Sequence, residues 1–150
     1  MKNDLLRHFL ASLSYRATQA IQEVPSHFSH LELGNEVRKP IEILNHITFL
    51  MAYTIHCFQE IPLEDYRKMK NWEQEVQAFY ETAEKLDHIL EKDLTPSIRT
   101  YEQLIQGPFS DAMTHVGQLS MMRRLADAPV KYENFMEADI RKGFIYPNHS

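Results

Sequence analysis

The stretch Ser110–Leu125, SDAMTHVGQLSMMRRL, decides how this chain is read. Asp111, His115, Gln118, Met122 and Leu125 step by four, three, four and three, so they form one stripe along a helix. The stripe is polar in its first half and apolar in its second. Facing a core, its three polar groups would each need a partner. Residues at i and i+4 point the same way, so Asp111 and His115 can both reach one bound cation. One ligand from a facing helix would complete a facial triad, and His46 is the candidate. The alternative is an Asp–His hydrogen bond at a solvated bundle mouth, with Asp111 favoured by the dipole of a nearby helix N-terminus. Gly117, inside this helix, costs about 1 kcal/mol relative to Ala. It either permits close approach of a backbone or ligand or is a tolerated defect. Arg123 and Arg124 suit the helix's C-terminal dipole and read as structural.

Working outward, the apolar spacing is helical nearly throughout. Leu6, Leu10, Leu13, Ala17 and Ala20 predict a first helix over about residues 2–22, stopped by Pro25. Residues 25–39 mix Pro, His, Ser and Gly without period and read as a loop. Pro40 suits the first turn of a second helix reaching Gln59, with Leu44, Ile47, Met51, Thr54 and Phe58 on one face. Trp72, Val76, Phe79, Ala83, Leu86 and Leu90 mark a third helix. Thr95 is placed to cap a short continuation to Gln106. Gly107-Pro108 reads as a break before the fourth helix, which ends near Ala126. Residues 131–142, closed by Gly143, read as a short fifth helix. No strand-like alternation, repeat or dividing linker is present. The expectation is an all-α fold with a single domain over residues 1–150: a four-helix bundle with an additional short C-terminal helix.

Composition narrows the function. The chain has 150 residues, only 4 of them Gly, which favours long helices over a fold built on Gly-rich loops. Lys and Arg number 16 against 21 Asp and Glu, a net charge of -5 with no basic block. That leaves no electrostatic footprint for nucleic acid or anionic lipid. The single cysteine, Cys57, rules out an internal disulfide and a multi-cysteine zinc site, and fits a reducing, cytoplasmic setting. The N-terminal segment is too broken by charge for a signal peptide. No apolar run reaches the roughly 18 residues a membrane span needs.

There are 8 histidines, and most read as incidental. His8 and His88 sit among charged residues, His27 and His30 in the irregular loop, and His149 in the tail. His46 shares a face with Ile43 and Leu50, either as a core histidine with one hydrogen bond or as a ligand. Glu42, four residues before it, could orient it. Cys57 and His56 point about 100° apart as helix neighbours, so they make no catalytic pair, and Cys57 reads as core. Glu-x-x-His motifs of di-iron bundles, phosphate loops and nucleophile elbows are all absent. Met113, Met121 and Met122 could line an adaptable ligand pocket, although Met113 and Met122 also suit a core.

Three stretches together resemble the DinB family (DinB/YfiT-like) of helical-bundle metalloproteins. They are EILNHITFLM, GPFSDAMTHVGQLSMMRRLADAPV with its His-x-Gly-Gln segment, and ENFMEADIRKGF. The resemblance covers about residues 5–146 and is most specific over 107–130. It implies a bundle with a divalent ion (Zn, Ni, Mn or Fe) held by three side chains. The commonest family pattern has three histidines; here His46 and His115 match two, and Asp111 stands at the third. Some thiol-dependent relatives of the maleylpyruvate isomerase type also use a carboxylate there. The expected metal set is therefore His46, Asp111 and His115, with Gln118 either supporting a metal ligand or binding substrate, hydrogen-bonding a ligand or bound water. The family includes S-transferases that use low-molecular-weight thiols such as bacillithiol or mycothiol as cosubstrate. By that likeness the chain is a metal-dependent thiol S-transferase or hydrolase acting on a small-molecule substrate, forming a homodimer and binding neither nucleic acid nor membrane. The alternative is a non-catalytic homodimer with a degenerate or structural metal site.

Overall fold

Each apolar stripe becomes the buried face of a helix. The computed structural model describes residues 1–147, so His149 lies outside the described residues. The elements are α1 (Asp4–Ile21), α2 (Pro40–Phe58), a 3₁₀ turn (Glu64–Arg67), α3 (Trp72–Glu91), α4 (Tyr101–Leu104) and α5 (Ser110–Leu125). No strand occurs among the described residues. α1 packs on α3 and α5, and α2 packs on the same two helices, so α1 and α2 lie diagonally across the bundle. Leu10, Leu13, Leu44, Ile47, Phe79, Leu86, Leu119 and Met122 meet in the centre, all nearly inaccessible to solvent.

The diagonal crossing from α1 to α2 takes a long connection, residues 22–39. Phe28 anchors it, fully buried and edge-on to Trp72 at 5.8 Å. The backbone of Ile41 donates to the Ser29 carbonyl at 3.0 Å and fixes the entry into α2. Polar side chains close the bundle ends. Asn3 is buried and donates to the carbonyls of Leu90 and Leu94, capping the end of α3. Arg123 is buried too, donating to the carbonyls of Gln19, Ala20, Gln22 and Ala128. It thereby ties the ends of α1 and α5 together, the structural role expected of it.

Two parts of the sequence reading are corrected. Gly107-Pro108 is not a break. Residues Ile105–Phe109 form a π-helical turn that joins α4 to α5, so the fourth bundle helix runs from Tyr101 to Leu125. The Ser110 amide reaches back to the Ile105 carbonyl, and the Ser110 hydroxyl donates to the same oxygen at 2.6 Å. The wider turn accommodates the proline that a regular α-helix rejects. The start of α4 is capped by Thr100, whose Oγ1 accepts the Gln103 amide at 3.1 Å. Thr95 instead accepts from the Lys2 ammonium.

The second correction is the fifth helix. Residues 131–142 form turns and extended backbone. Tyr132 and Met136 are 89% and 92% exposed, so a helix there would have no apolar face to bury, and a short helix without tertiary support is not stable. The segment is held by separate contacts: Phe135 packs on Tyr15 and under Arg16, and Ile145 enters the core.

Candidate metal centre

The bundle brings His46 on α2 against Asp111 and His115 on α5. Among the described residues these three form the one group of His, Cys, Asp or Glu side chains whose potential ligand atoms converge, all within 4.8 Å of one another. His46 Nε2 lies 3.4 Å from Asp111 Oδ2, and His115 Nε2 lies 3.3 Å from Asp111 Oδ1. The two imidazoles meet edge-to-face with centroids 4.9 Å apart. Ligands at about 2.1 Å from a shared zinc-like ion are separated from each other by about 3.0–3.4 Å. The two nitrogen–oxygen distances fall at that spacing.

The proton positions matter more than the distances. His115 Nδ1 sits 2.7 Å from Gln118 Oε1; with the amide in this orientation, the tautomer that pairs with it carries its proton on Nδ1. A neutral His115 then presents a bare Nε2 lone pair to a carboxylate oxygen. Two acceptors face each other, and a cation or a proton between them removes the repulsion. Gln118 thus sits behind His115, the arrangement in which a side chain orients a metal-bound histidine. Burial holds the His46 imidazole below its ordinary pKa. The Asp111 hydrogen bond opposes that shift, and the Arg38 charge adds to it. His46 is therefore neutral, as a ligand must be, at neutral pH.

Asp111 has no helix end to explain it. The helix continues backward through the π turn, so Asp111 lies mid-helix and the expected dipole stabilisation at an N-terminus does not apply. The stripe read from the sequence also sits differently. Ala112, Val116, Leu119 and Met122 face the core, while Leu125 is exposed and the Asp111–His115 edge lies at the bundle rim. His46 and Asp111 keep 29% and 46% of their side-chain surface, so the site opens to solvent.

Other candidates separate cleanly from the site. Glu42 does not orient His46; it accepts the Lys39 amide at 2.8 Å and closes the start of α2. His56 Nδ1 pairs with the backbone of Ile61 after α2. His8, His27, His30 and His88 are exposed. Met122 is core, Met113 half-buried and Met121 59% exposed, so the three line no common pocket. Cys57 is buried, and burial pushes its thiol pKa up, away from a reactive thiolate. A Cβ added at Gly117 would meet nothing within 4 Å, so no backbone approaches there.

Beside the centre lies a groove of about 590 Å³, lined by Phe49, Leu50, Tyr53, Arg67 and the π turn, and reaching Asp111. Nothing in the sequence marked Arg67 or the groove, because the 3₁₀ turn meets α2 only in the folded chain. The family resemblance receives no support and no contradiction from known proteins. Comparison with protein-family models, with curated proteins and with solved structures finds no match to this chain. No helix among the described residues is long and apolar enough to cross a membrane.

Proposed function

We propose that this chain is a divalent-metal-binding protein of the DinB-like kind, with the ion held by His46, Asp111 and His115. The observation that carries the reading is the convergence of His46, Asp111 and His115 ligand atoms within 4.8 Å of one another, with Gln118 placed behind His115. One carboxylate and two imidazoles suit Zn, Ni, Mn or Fe(II). Three protein ligands at an open rim correspond to catalytic sites, whereas structural zinc sites are closed by four.

An ion there would supply Lewis acidity to a thiol or water in the groove. The chain's own residues do the remaining work. His46 and His115 supply imidazole nitrogens, His115 oriented by Gln118, Asp111 adds the negative charge that favours a divalent cation, and the groove walls hold the small molecule. The reaction class favoured by the resemblance is metal-dependent thiol S-transfer or hydrolysis. Metal analysis of the purified protein tests the first part: about one ion per chain is expected in the wild type and none in His115→Ala. Equal metal in both would sink the triad. Thiol transfer to a panel of electrophiles tests the second. Metal-dependent stability with no transfer to any of them would favour a structural metal instead.

A further inference from the structure

The groove beside the proposed centre has one strong cationic feature. Arg67 lines it, with the guanidinium lying 4.1 Å over the centre of the Phe49 ring. Phe49 is one turn beyond His46 on α2. Among the described residues no carboxylate lies within ion-pairing distance of Arg67, so its planar fork of N–H donors is uncommitted. The Ser110 and Thr114 hydroxyls are spent, donating to the Ile105 and Ser110 carbonyls, and the Tyr53 hydroxyl accepts from Arg99.

Arg67 is also held in position. Asn45 Nδ2 lies 3.4 Å from the Tyr66 carbonyl and 3.3 Å from the Lys68 carbonyl, one on each side of Arg67. The same nitrogen donates to Glu75 Oε2 at 3.0 Å, and that oxygen also accepts the Lys70 amide. Glu75 is fully buried on α3. A buried carboxylate therefore fixes Asn45, and Asn45, the residue before His46, fixes the turn that carries Arg67. An exposed arginine on an unsupported loop would not be set against a ligand in this way.

We propose that the groove binds a small organic carboxylate with a flat apolar body. The carboxylate pairs with the Arg67 fork, the body lies against Leu50 and Pro108, and the far end reaches the Asp111 side. Charge complementarity selects the anion: Arg67 is unpaired at one end of the groove, and a divalent ion at the centre would outweigh the Asp111 carboxylate at the other. This deepens the metal reading and rests on it only for the reacting end; the anion seat is present without the ion.

Benzoate is a suitable probe, with benzamide as its neutral isostere. Each is titrated into the full-length protein, with and without zinc, while the amide resonances of Leu50 and Thr114 are followed by NMR. Benzoate is expected to shift these resonances at least tenfold more tightly than benzamide. Arg67→Gln should abolish that preference, leave the zinc affinity unchanged and preserve the remaining spectrum. Arg67→Lys, which keeps the charge but loses the fork, should fall between. No benzoate binding, equal binding of benzamide, or equal binding by Arg67→Gln would each overturn the proposal. Absence of zinc binding overturns the metal reading alone, because the zinc-free titration still decides the anion seat.

Discussion

Of the polar clusters between helices of this bundle, two are built on opposite principles. Between α1 and α3, Arg7 Nε and Nη2 donate to the two oxygens of Asp87 at 2.9 and 3.0 Å. Both side chains are nearly buried, at 12% and 8% exposure, and every strong contact joins a donor to an acceptor. Between α2 and α5, His46, Asp111 and His115 are more open, and one of their contacts sets a lone pair against a carboxylate oxygen. The first cluster is complete as it stands. The second becomes complete only with a positive charge added. The two differ in exposure as well, but the match of donors to acceptors is what makes one self-sufficient and leaves the other short of a positive charge.

The largest effect expected from this contrast is on stability. Asp87→Ala leaves a nearly buried guanidinium with only the exposed Glu91 carboxylate, 3.5 Å away, and should lower the unfolding free energy in urea by about 3 kcal/mol. Asp111→Ala removes a half-exposed group and should change the metal-free protein by no more than about 0.5 kcal/mol while abolishing metal binding. Similar losses in both variants would erase the distinction. Gln118→Ala comes next. It frees the His115 tautomer and should weaken zinc about 10–100-fold in a calorimetric titration, with the fold unchanged. An unchanged affinity would mean that Gln118 orients nothing.

Gly117 offers a smaller and opposite effect. With open space around it, Gly117→Ala should stabilise the protein by about 1 kcal/mol in thermal unfolding and leave zinc affinity alone. Destabilisation would reveal a constraint that the backbone does not display. The smallest effect is in pH dependence. Burial lowers the folded-state pKa of His46, so the unfolded chain takes up its proton first as the pH falls. Stability contributed above the ordinary histidine value of about 6.5 is lost as the pH falls through the lower folded value. The metal-free wild type should show a steeper loss below pH ~6.5 than His46→Gln. Parallel curves would show that His46 is not desolvated.

The bundle was legible because burial follows period. The stripes of α1 and α2, and Phe79, Ala83, Leu86 and Leu90 of α3, are all core. What could not be read was anything decided by tertiary geometry. Gly107-Pro108 reads as a stop because a proline breaks a regular helix; a π turn is a local rewinding that periodicity does not encode. Residues 131–142 have helical composition, but Tyr132 and Met136 stay exposed, so no apolar stripe is buried that would support a helix there. At the candidate centre, the i,i+4 pair Asp111 and His115 was visible on one helix, and His46 followed from its place on a facing helix. Glu42 was misread because its spacing suits His46 and the cap of its own helix equally well, and the free amide of Lys39 takes it. Asn45, Arg67 and Glu75 act through contacts far apart in sequence, so no local pattern could join them.

Cobalt(II) absorption gives the most direct test of the central claim that the incomplete cluster is a metal site. Titration of Co(II) into the wild-type protein should produce ligand-field bands that saturate at one ion per chain. The bands should vanish in Asp111→Ala and in His115→Ala, and persist in His88→Ala, which removes an exposed histidine flanked by Glu84 and Glu91. Bands that survive both triad substitutions, or that disappear with His88, would contradict the assignment.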